Sequence, residues 1–369
     1  PSAAPSESSP RRPRQLTAGR TGGQALSAAG FQGRSKRAKM MQASAWNRAA
    51  LTCLMGVGLV AGGPGGAWAQ TVTSTGIAAD RYNPAPGPSA FGQVEGAPVA
   101  PAGQVWLTGM ASAIGHPFRL RSALTQEQVA EPVAYRVSLD LGAEVGVWRK
   151  RLALGLGVPV ALWQLGDRLQ ATGSAEPGAA ESRGLATTAI GDIRLRGKAL
   201  LTPAGRSAAL ALALELTIPG PGSGAANFVA TSGFTVAPRL IGWFHKGPIA
   251  AAANAELRLA PARTLYQTTV HNSFSWGIAV GGELPVRRVG LALIAEATGQ
   301  VNLVSGQDLL STELRGIFRI AWWRGSFDLG GGGGFGALTP AWRGFVSLRG
   351  FLGRRDPAAL GCAVRPLTL

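Results

Sequence analysis

Few residues in this chain have the types and spacing that catalysis needs. It holds three His and two Cys in 369 residues. That rules out a disulfide scaffold or a thiolate metal cluster, and the wide separation of His116, His245 and His271 leaves metal ligation without workable spacing. His271-Asn272-Ser273 brings hydrolase residue types together. Adjacent residues on a strand point to opposite faces, however, so this His and Ser do not form a nucleophile–base pair. The glycine run Gly330 to Gly334 lacks the Lys-Ser/Thr pair and following helix of a phosphate loop. No catalytic, cofactor-binding or metal-binding residue is assigned, and the chain reads as no enzyme.

What remains is charge placed at regular intervals. Taken by parity along the chain, the acids Asp140, Glu144, Asp192, Glu215, Glu256, Glu283, Glu296, Glu313 and Asp328 fall on one face of extended segments. So do the bases Arg136, Arg194, Arg196, Lys198, Arg239, Arg258, Arg315, Arg319, Arg343 and Arg349. Nine acids stand against ten bases. Mixed charge at this density either pairs into a network or lines a wet passage.

The elements that carry these residues alternate with period two. Val133, Tyr135, Val137, Leu139, Leu141, Ala143, Val145 and Val147 are apolar, with Arg136, Ser138, Asp140, Gly142, Glu144 and Gly146 between them. One face is hydrocarbon and the other polar. At 3.3 Å per residue the stretch would be about 50 Å long, beyond the usual soluble strand. The same pattern places strands near 104–114, 152–162, 192–198, 210–218, 232–245, 248–259, 273–286, 289–301, 310–323, 326–335 and 342–352, twelve in all.

The connections alternate as well. Links at 148–151, 202–206, 246–247, 287–288 and 324–325 are tight, whereas those at 115–132, 165–184, 219–231, 260–272, 302–309 and 336–341 are generally longer. An even number of long strands joined by alternating short and long links predicts a closed antiparallel transmembrane β-barrel over 103–353, with short periplasmic turns and longer outer loops. Closure satisfies every backbone donor inside the wall, as lipid requires. Trp106, Trp148, Trp163, Trp243, Trp276, Trp322, Trp323 and Trp342 fall mostly near strand ends, where interfacial girdles are expected.

Composition agrees. Hydrophobic residues make up 46% and charged residues 15%, with 53 Gly. That excludes a fully disordered chain and argues against a helical bundle. The net charge of +17 is uneven. Residues 1–69 carry nine Lys/Arg against the single acid Glu7, whereas 27 bases and 18 acids lie beyond. Residues 1–39 read as a disordered basic leader upstream of the true start at Met40 or Met41, and not as a nucleic-acid arm. Residues 40–69 read as a Sec signal peptide: Arg48, the apolar run Ala49 to Gly62, then Ala67-Trp68-Ala69 as a cleavage site. Residues 70–102, rich in Pro and Gly, form a periplasmic strap or plug. Residues 354–369 form a disordered tail.

Three motifs carry a resemblance to a known family. Asp80-Arg81-Tyr82-Asn83-Pro84-Ala85-Pro86 followed by Phe91-Gly92-Gln93-Val94-Glu95-Gly96-Ala97 resembles the lead-in of outer-membrane barrel proteins common in myxobacteria, often labelled OmpA family. Gly191-Asp192-Ile193-Arg194-Leu195-Arg196-Gly197-Lys198 resembles a strand of those proteins that is shared with phenol-degradation-type outer-membrane transporters. Thr339-Pro340-Ala341-Trp342-Arg343-Gly344-Phe345 resembles their last strand, which would make Phe351 a terminal aromatic of an assembly signal. The match covers about residues 78–353. It implies a twelve-stranded barrel in the outer membrane of a Gram-negative bacterium. Its partners would be lipid, lipopolysaccharide, the barrel assembly machinery and small solutes, with no cofactor and no nucleic acid. Many such proteins continue into a peptidoglycan-binding domain; this sequence runs into GRRDPAALGCAVRPLTL, so peptidoglycan anchoring is not carried over. The resulting expectation is an envelope structural protein or passive diffusion channel. The alternatives are a selective transporter of small hydrophobic or aromatic compounds and an outer-membrane lipid hydrolase.

Overall fold

A computed structural model of the protein describes residues 77–88, 91–121, 128–166, 188–225, 227–265, 268–286, 289–303, 310–322, 324–336 and 338–353. The leader 1–39, the signal segment 40–69, the first residues of the strap and the tail 354–369 lie outside them. Twelve strands among these residues build one antiparallel sheet: β1 (Val105–Arg121), β2 (Gln128–Trp148), β3 (Leu152–Leu165), β4 (Ile193–Leu200), β5 (Ala208–Ile218), β6 (Thr235–Lys246), β7 (Ile249–Arg258), β8 (Ser273–Val286), β9 (Val289–Asn302), β10 (Ser311–Trp322), β11 (Gly325–Gly336) and β12 (Trp342–Leu352). Each strand pairs with its sequence neighbours, and β1 pairs with β12, Val105 opposite Leu352. The sheet therefore closes and leaves no edge. No helix among the described residues is long and apolar enough to cross a membrane.

The alternation read from sequence becomes the two sides of this wall. On β5, Leu210, Leu212, Leu214 and Leu216 are 46%, 48%, 53% and 37% exposed, while Ala211, Ala213 and Glu215 between them are buried. Neighbouring strands carry the same outward stripe, including Leu240 on β6, Val280 on β8, Leu293 on β9 and Leu314 on β10. A water-soluble protein would hide so many leucines; a wall facing lipid displays them.

The two ends of the barrel differ. At the short-turn end, Arg149 and Lys150 both adopt left-handed backbone (φ 38° and 59°), and Arg151 N–H donates to the Trp148 carbonyl at 2.7 Å. At the long-loop end, the β1–β2 hairpin outruns the alternating pattern: Phe118 pairs with Val133, Leu120 with Ala130 and Arg121 with Gln128, with register shifts after Gly115. The irregularity falls at His116, whose φ is 53°, and Pro117, which has no N–H to donate. Expected loop 115–132 is therefore largely strand. Loop 260–272 also contains a small hairpin, Arg263–Leu265 against Thr268–Val270. Beyond Gly157, β3 keeps a partner through the short strand Ala189–Ile190 and through the Gly191 N–H bond to the Pro159 carbonyl at 2.8 Å.

The girdle expectation needs correction at two tryptophans. Trp148, Trp163 and Trp342 are exposed near strand ends, but Trp106 and Trp243 are buried on the inner face. Trp106 packs on Phe351 with ring centroids 5.1 Å apart and donates from Nε1 to Gln104 Oε1 at 3.0 Å. Trp243 packs on Phe91 at 5.7 Å. Phe351 itself, buried beneath Trp106, also faces inward. Trp323 lies outside the described residues.

Candidate functional site: the occupied lumen

Residues 77–88 and 91–102 run along the bore from the long-loop end to the short-turn end. Ile77 and Ala79 pack with Phe118, Val133 and Phe228, and Ala79 N–H donates to the Phe228 carbonyl at 2.9 Å. Midway, Tyr82, Phe91, Val94 and Ala97 pack with Met110, Ile241, Ile294, Ile317 and Phe345 from the wall. Ala100 then meets Trp106 and Phe351. At the exit Ala102 bridges Gly146, and Gly103 N–H donates to the Gly146 carbonyl at 2.8 Å. A side chain at Gly146 would stand 2.2 Å from the Pro101 carbonyl oxygen, so this crossing requires glycine. Gly330 serves a similar need, since the Phe345 ring lies where its side chain would be.

Wall charge is spent largely on this segment. Near the outer end, Asp80 accepts two bonds from Arg343, at 2.8 and 3.1 Å, a bidentate geometry. The Arg343 Nε–H goes to Glu313 at 2.8 Å. Two guanidinium groups lie over the Tyr82 ring, Arg315 4.5 Å and Arg343 4.6 Å from its centre. Asn83 donates to Glu215 at 2.9 Å and accepts from Arg194, which lies 3.6 Å from Asp140. The Phe91 carbonyl accepts from Arg319 at 2.7 Å and from Arg349 at 2.9 Å. Both arginines pair with fully buried Asp328, at 2.7 and 3.4 Å. Glu296 accepts from the backbone N–H groups of Gln93 and Val94, at 2.8 and 2.5 Å, with Arg315 3.4 Å away.

Glu95 is the most heavily engaged group of the segment. Its carboxylate meets Arg196, Lys198 at 2.8 Å and Arg239 at 3.8 Å. Its backbone is held by Asn254, which accepts from the Glu95 N–H and donates to the Glu95 carbonyl, each at 2.8 Å. Lys198 also donates to the Pro98 carbonyl at 2.8 Å, with Glu144 4.0 Å away. Arg239 pairs with Glu256, as does Arg258 at 3.1 Å.

Sequence parity placed nineteen charged residues inward. Arg136, Asp140, Glu144, Arg196, Lys198, Glu215, Arg239, Glu256, Glu296, Glu313, Arg315, Arg319, Asp328, Arg343 and Arg349 are all buried, whereas Arg194, Arg258 and Glu283 are partly buried. Two of them reach loop backbone. Arg136 donates to Gln164 and the Phe228 carbonyl, both at 3.0 Å. Asp192 accepts from the N–H groups of Gly220 at 3.2 Å and Thr231 at 2.9 Å, pinning the loop between β5 and β6. Glu283 sits on β8 near the short-turn rim, its N–H bonded to the Pro248 carbonyl at 2.8 Å.

Asp80, Asn83, Gln93, Glu95 and Asn254 were missing from the sequence reading. The nearly balanced count of nine acids and ten bases carried no signal for them.

The histidine candidates stay apart. His116 Nδ1 contacts Glu131 at the outer rim, with the Tyr135 hydroxyl 3.5 Å from Nε2. Ser273 is buried and its Oγ accepts from Gln300 at 2.6 Å, while Asn272 Oδ1 accepts from the Ala260 N–H at 3.0 Å. No group of three metal-ligating side chains is found among the described residues.

A cavity of about 80 Å3 lies at the outer end, between the segment, strands β6 to β10 and residues 338–343, with Tyr82, Val94, Trp276 and Leu338 in its lining. Asn83, Asn254, Ser275, Gln300 and Ser311 contribute to its lining.

No family model matches the chain, and no curated protein does. Solved structures do. The chain is similar to the COG4313 outer membrane channel from Pseudomonas putida F1, with 12% identity over 69% of this chain and 98% of that one, at a TM-score of 0.50. It is also similar to the beta domain of the Bordetella autotransporter BrkA (13% identity, 68% and 99% coverage, TM-score 0.38). The CymD monoaromatic hydrocarbon channel matches with 10% identity, 70% and 90% coverage and a TM-score of 0.36. At these identities the likeness concerns the fold: this chain has the closed antiparallel architecture of outer-membrane β-barrels.

Proposed function

We propose that this protein is an outer-membrane channel for small polar solutes whose bore is held shut by its own residues 77–102. The observation that carries the reading is the chemistry of the obstruction. A permanent filling would be most stable if apolar, because buried ion pairs often stabilise less than packed hydrocarbon of the same volume. Here the segment is held by carboxylates, guanidiniums and an amide (Asp80, Glu95, Asn83 and their wall partners). Water entering the bore can solvate these groups, so the segment can leave without exposing only hydrocarbon. The likeness to a structure described as an outer membrane channel supports the same reading.

Tyr82, Trp276 and Leu338 also line the cavity, so it leaves open a transporter of small hydrophobic or aromatic compounds. The reading includes no catalytic step and no cofactor. It takes residues 40–69 as the export signal, the barrel portion as related to the OmpA-family proteins it resembles, and lipopolysaccharide, outer-membrane lipid and the barrel assembly machinery as partners.

A second reading, an envelope structural barrel, draws on the apolar cluster of Tyr82, Phe91, Val94 and Ala97 against the wall. Planar-bilayer recording separates the two. The channel reading expects small or intermittent conductance from the whole protein and a larger steady conductance once residues 77–100 are deleted. Silence from both proteins, each shown to be folded by heat-modifiable migration, leaves the structural reading.

A further inference from the structure

The short turns carry a charge pattern that the lumen does not use. The five tight links contain fifteen residues, of which eight are Arg or Lys and none is acidic. The six longer links hold five bases and six acids. Six of the short-turn cations are among the described residues. Arg149, Lys150 and Arg151 lie between β2 and β3, Arg206 between β4 and β5, Lys246 at the end of β6, and Arg324 between β10 and β11. Lys150 is half-buried and the other five are exposed. The wall above the turns does not restore a balance. No acid lies within two residues of a strand end on this side. Of the next three, Glu144 and Asp328 are buried in the bore beside wall bases, and Glu283 is partly buried. One glutamate does not neutralise six cations.

The β2–β3 turn holds its cations against local preference. Arg149 and Lys150 are the central pair of a turn closed by the Arg151 N–H bond to the Trp148 carbonyl at 2.7 Å, and both have left-handed φ. A hairpin turn of this kind favours Asn-Gly, and a side chain with a Cβ is strained there. A turn shaped by stability alone would not place Arg-Lys at these two positions.

Depth identifies the partner. Outward-facing hydrocarbon reaches almost to the cations. Trp148, 57% exposed, adjoins Arg149; Ile249, 52% exposed, lies three residues from Lys246; and Phe327, 37% exposed, lies three from Arg324. The charges therefore stand within about 10 Å of the lipid-facing wall, at the rise of a strand. That is the depth of the headgroup layer. The turns that carry them are spread round a closed barrel. Lipid surrounds such a rim on every side, whereas a docked protein meets one side of it. We infer that the short-turn rim binds anionic phospholipid headgroups, of the phosphatidylglycerol type, in the leaflet at that end. Guanidinium forks match pairs of phosphate oxygens. Each basic residue beside an anionic membrane surface adds about fivefold to the attraction. The inference rests on the barrel and its lipid-facing wall and holds whether or not the bore conducts.

The test reconstitutes the full-length protein into dioleoylphosphatidylcholine vesicles. Electron paramagnetic resonance then compares the protein-restricted fractions of spin-labelled phosphatidylglycerol and spin-labelled phosphatidylcholine. A preference of about threefold for phosphatidylglycerol is expected at low salt, and it should shrink at high salt through screening. Arg149→Asn combined with Lys150→Gly removes two charges and installs the residues this turn favours, so the variant should fold at least as well while its preference falls. Adding Arg206→Gln, Lys246→Gln and Arg324→Gln should bring the two lipids level. Arg119→Gln with Arg263→Gln, at the other end of the barrel, should leave the preference unchanged. Equal restriction of the two lipids by the native protein, or a preference that survives all five substitutions, would overturn the inference. Stronger turn-dependent binding of lipopolysaccharide than of phosphatidylglycerol would place the contact in the opposite leaflet. Turn-dependent binding of polyglutamate with no lipid preference would assign the rim to an acidic protein. Either result rejects the phospholipid.

Discussion

Lys198 Nζ lies 2.8 Å from Glu95 Oε1, and both side chains are almost completely withdrawn from solvent. One residue belongs to the wall and the other to the segment inside it, 103 positions earlier in the chain. The same carboxylate meets Arg196 and Arg239, so one glutamate holds three basic residues of β4 and β6.

Removing that carboxylate strips Arg196 of its ion-pair partner and leaves Lys198 with Glu144 and Arg239 with Glu256. Glu95→Gln is expected to destabilise the closed state by about 3–5 kcal/mol, the cost of breaking a buried pair from one side. Urea unfolding of the refolded barrel measures it, and bilayer recordings should show longer open times. Adding Lys198→Met should recover part of the loss. If Glu95→Gln unfolds at the native urea concentration, Glu95 is no latch.

The segment's exit depends on space at Gly146, where a methyl group would meet the Pro101 and Ala100 carbonyl oxygens at 2.2 and 2.3 Å. These are backbone atoms, with no flexible side chain to swing away. Gly146→Ala should cost about 1–3 kcal/mol through overpacking and make residues 98–104 more accessible to protease. Gly109→Ala, beside only a leucine methyl at 3.9 Å, serves as the mild control. Equal proteolysis of the two variants would count against the crossing.

Val280, midway along β8, is 49% exposed on the outer face, and its neighbour Ala279 is buried on the inner one. Val280→Arg should raise the free energy of folding into vesicles by about 2–4 kcal/mol, the penalty for arginine near the bilayer midplane. In detergent micelles the penalty should shrink, because the headgroup reaches water more easily. A variant that folds into vesicles as well as the native protein would show that this face does not meet lipid.

Tryptophan quenching separates the two faces. In single-tryptophan variants, lipids brominated along the acyl chain should quench Trp148, Trp163 and Trp342, which are exposed near strand ends. Trp106 and Trp243, buried on the inner face, should be far less affected. Strong quenching of Trp243 would contradict its packing against Phe91.

Much of the architecture was legible because a β-pleat repeats every two residues, so a wall between lipid and a polar interior prints its two sides directly onto the sequence. Leu210 to Leu216 on one side and Glu215 on the other need no tertiary information. The alternation of short and long links followed from the same reading. The pattern failed where something other than lipid set the environment. At His116-Pro117-Phe118 the hairpin bulges and runs on past the hydrocarbon, where alternation no longer distinguishes strand from loop. Trp106 and Trp243 were misread because an aromatic near a strand end satisfies either an interface or an inner packing site.

Pairing of charges was decided by folding alone. Parity places Arg196 and Lys198 on the inner side but does not say what faces them, since partners across a bore are set by strand order, stagger and whatever chain passes between. The sequence by itself determined the wall: which residues extend, which side of each meets lipid, and that the strands number twelve. Only the tertiary structure decided that residues 77–88 and 91–102 occupy the lumen and that Asp80, Asn83 and Glu95 answer the wall's charges. The physical reason is range: a strand's faces follow from neighbours two positions away, whereas a segment's route through the bore depends on contacts more than a hundred residues distant.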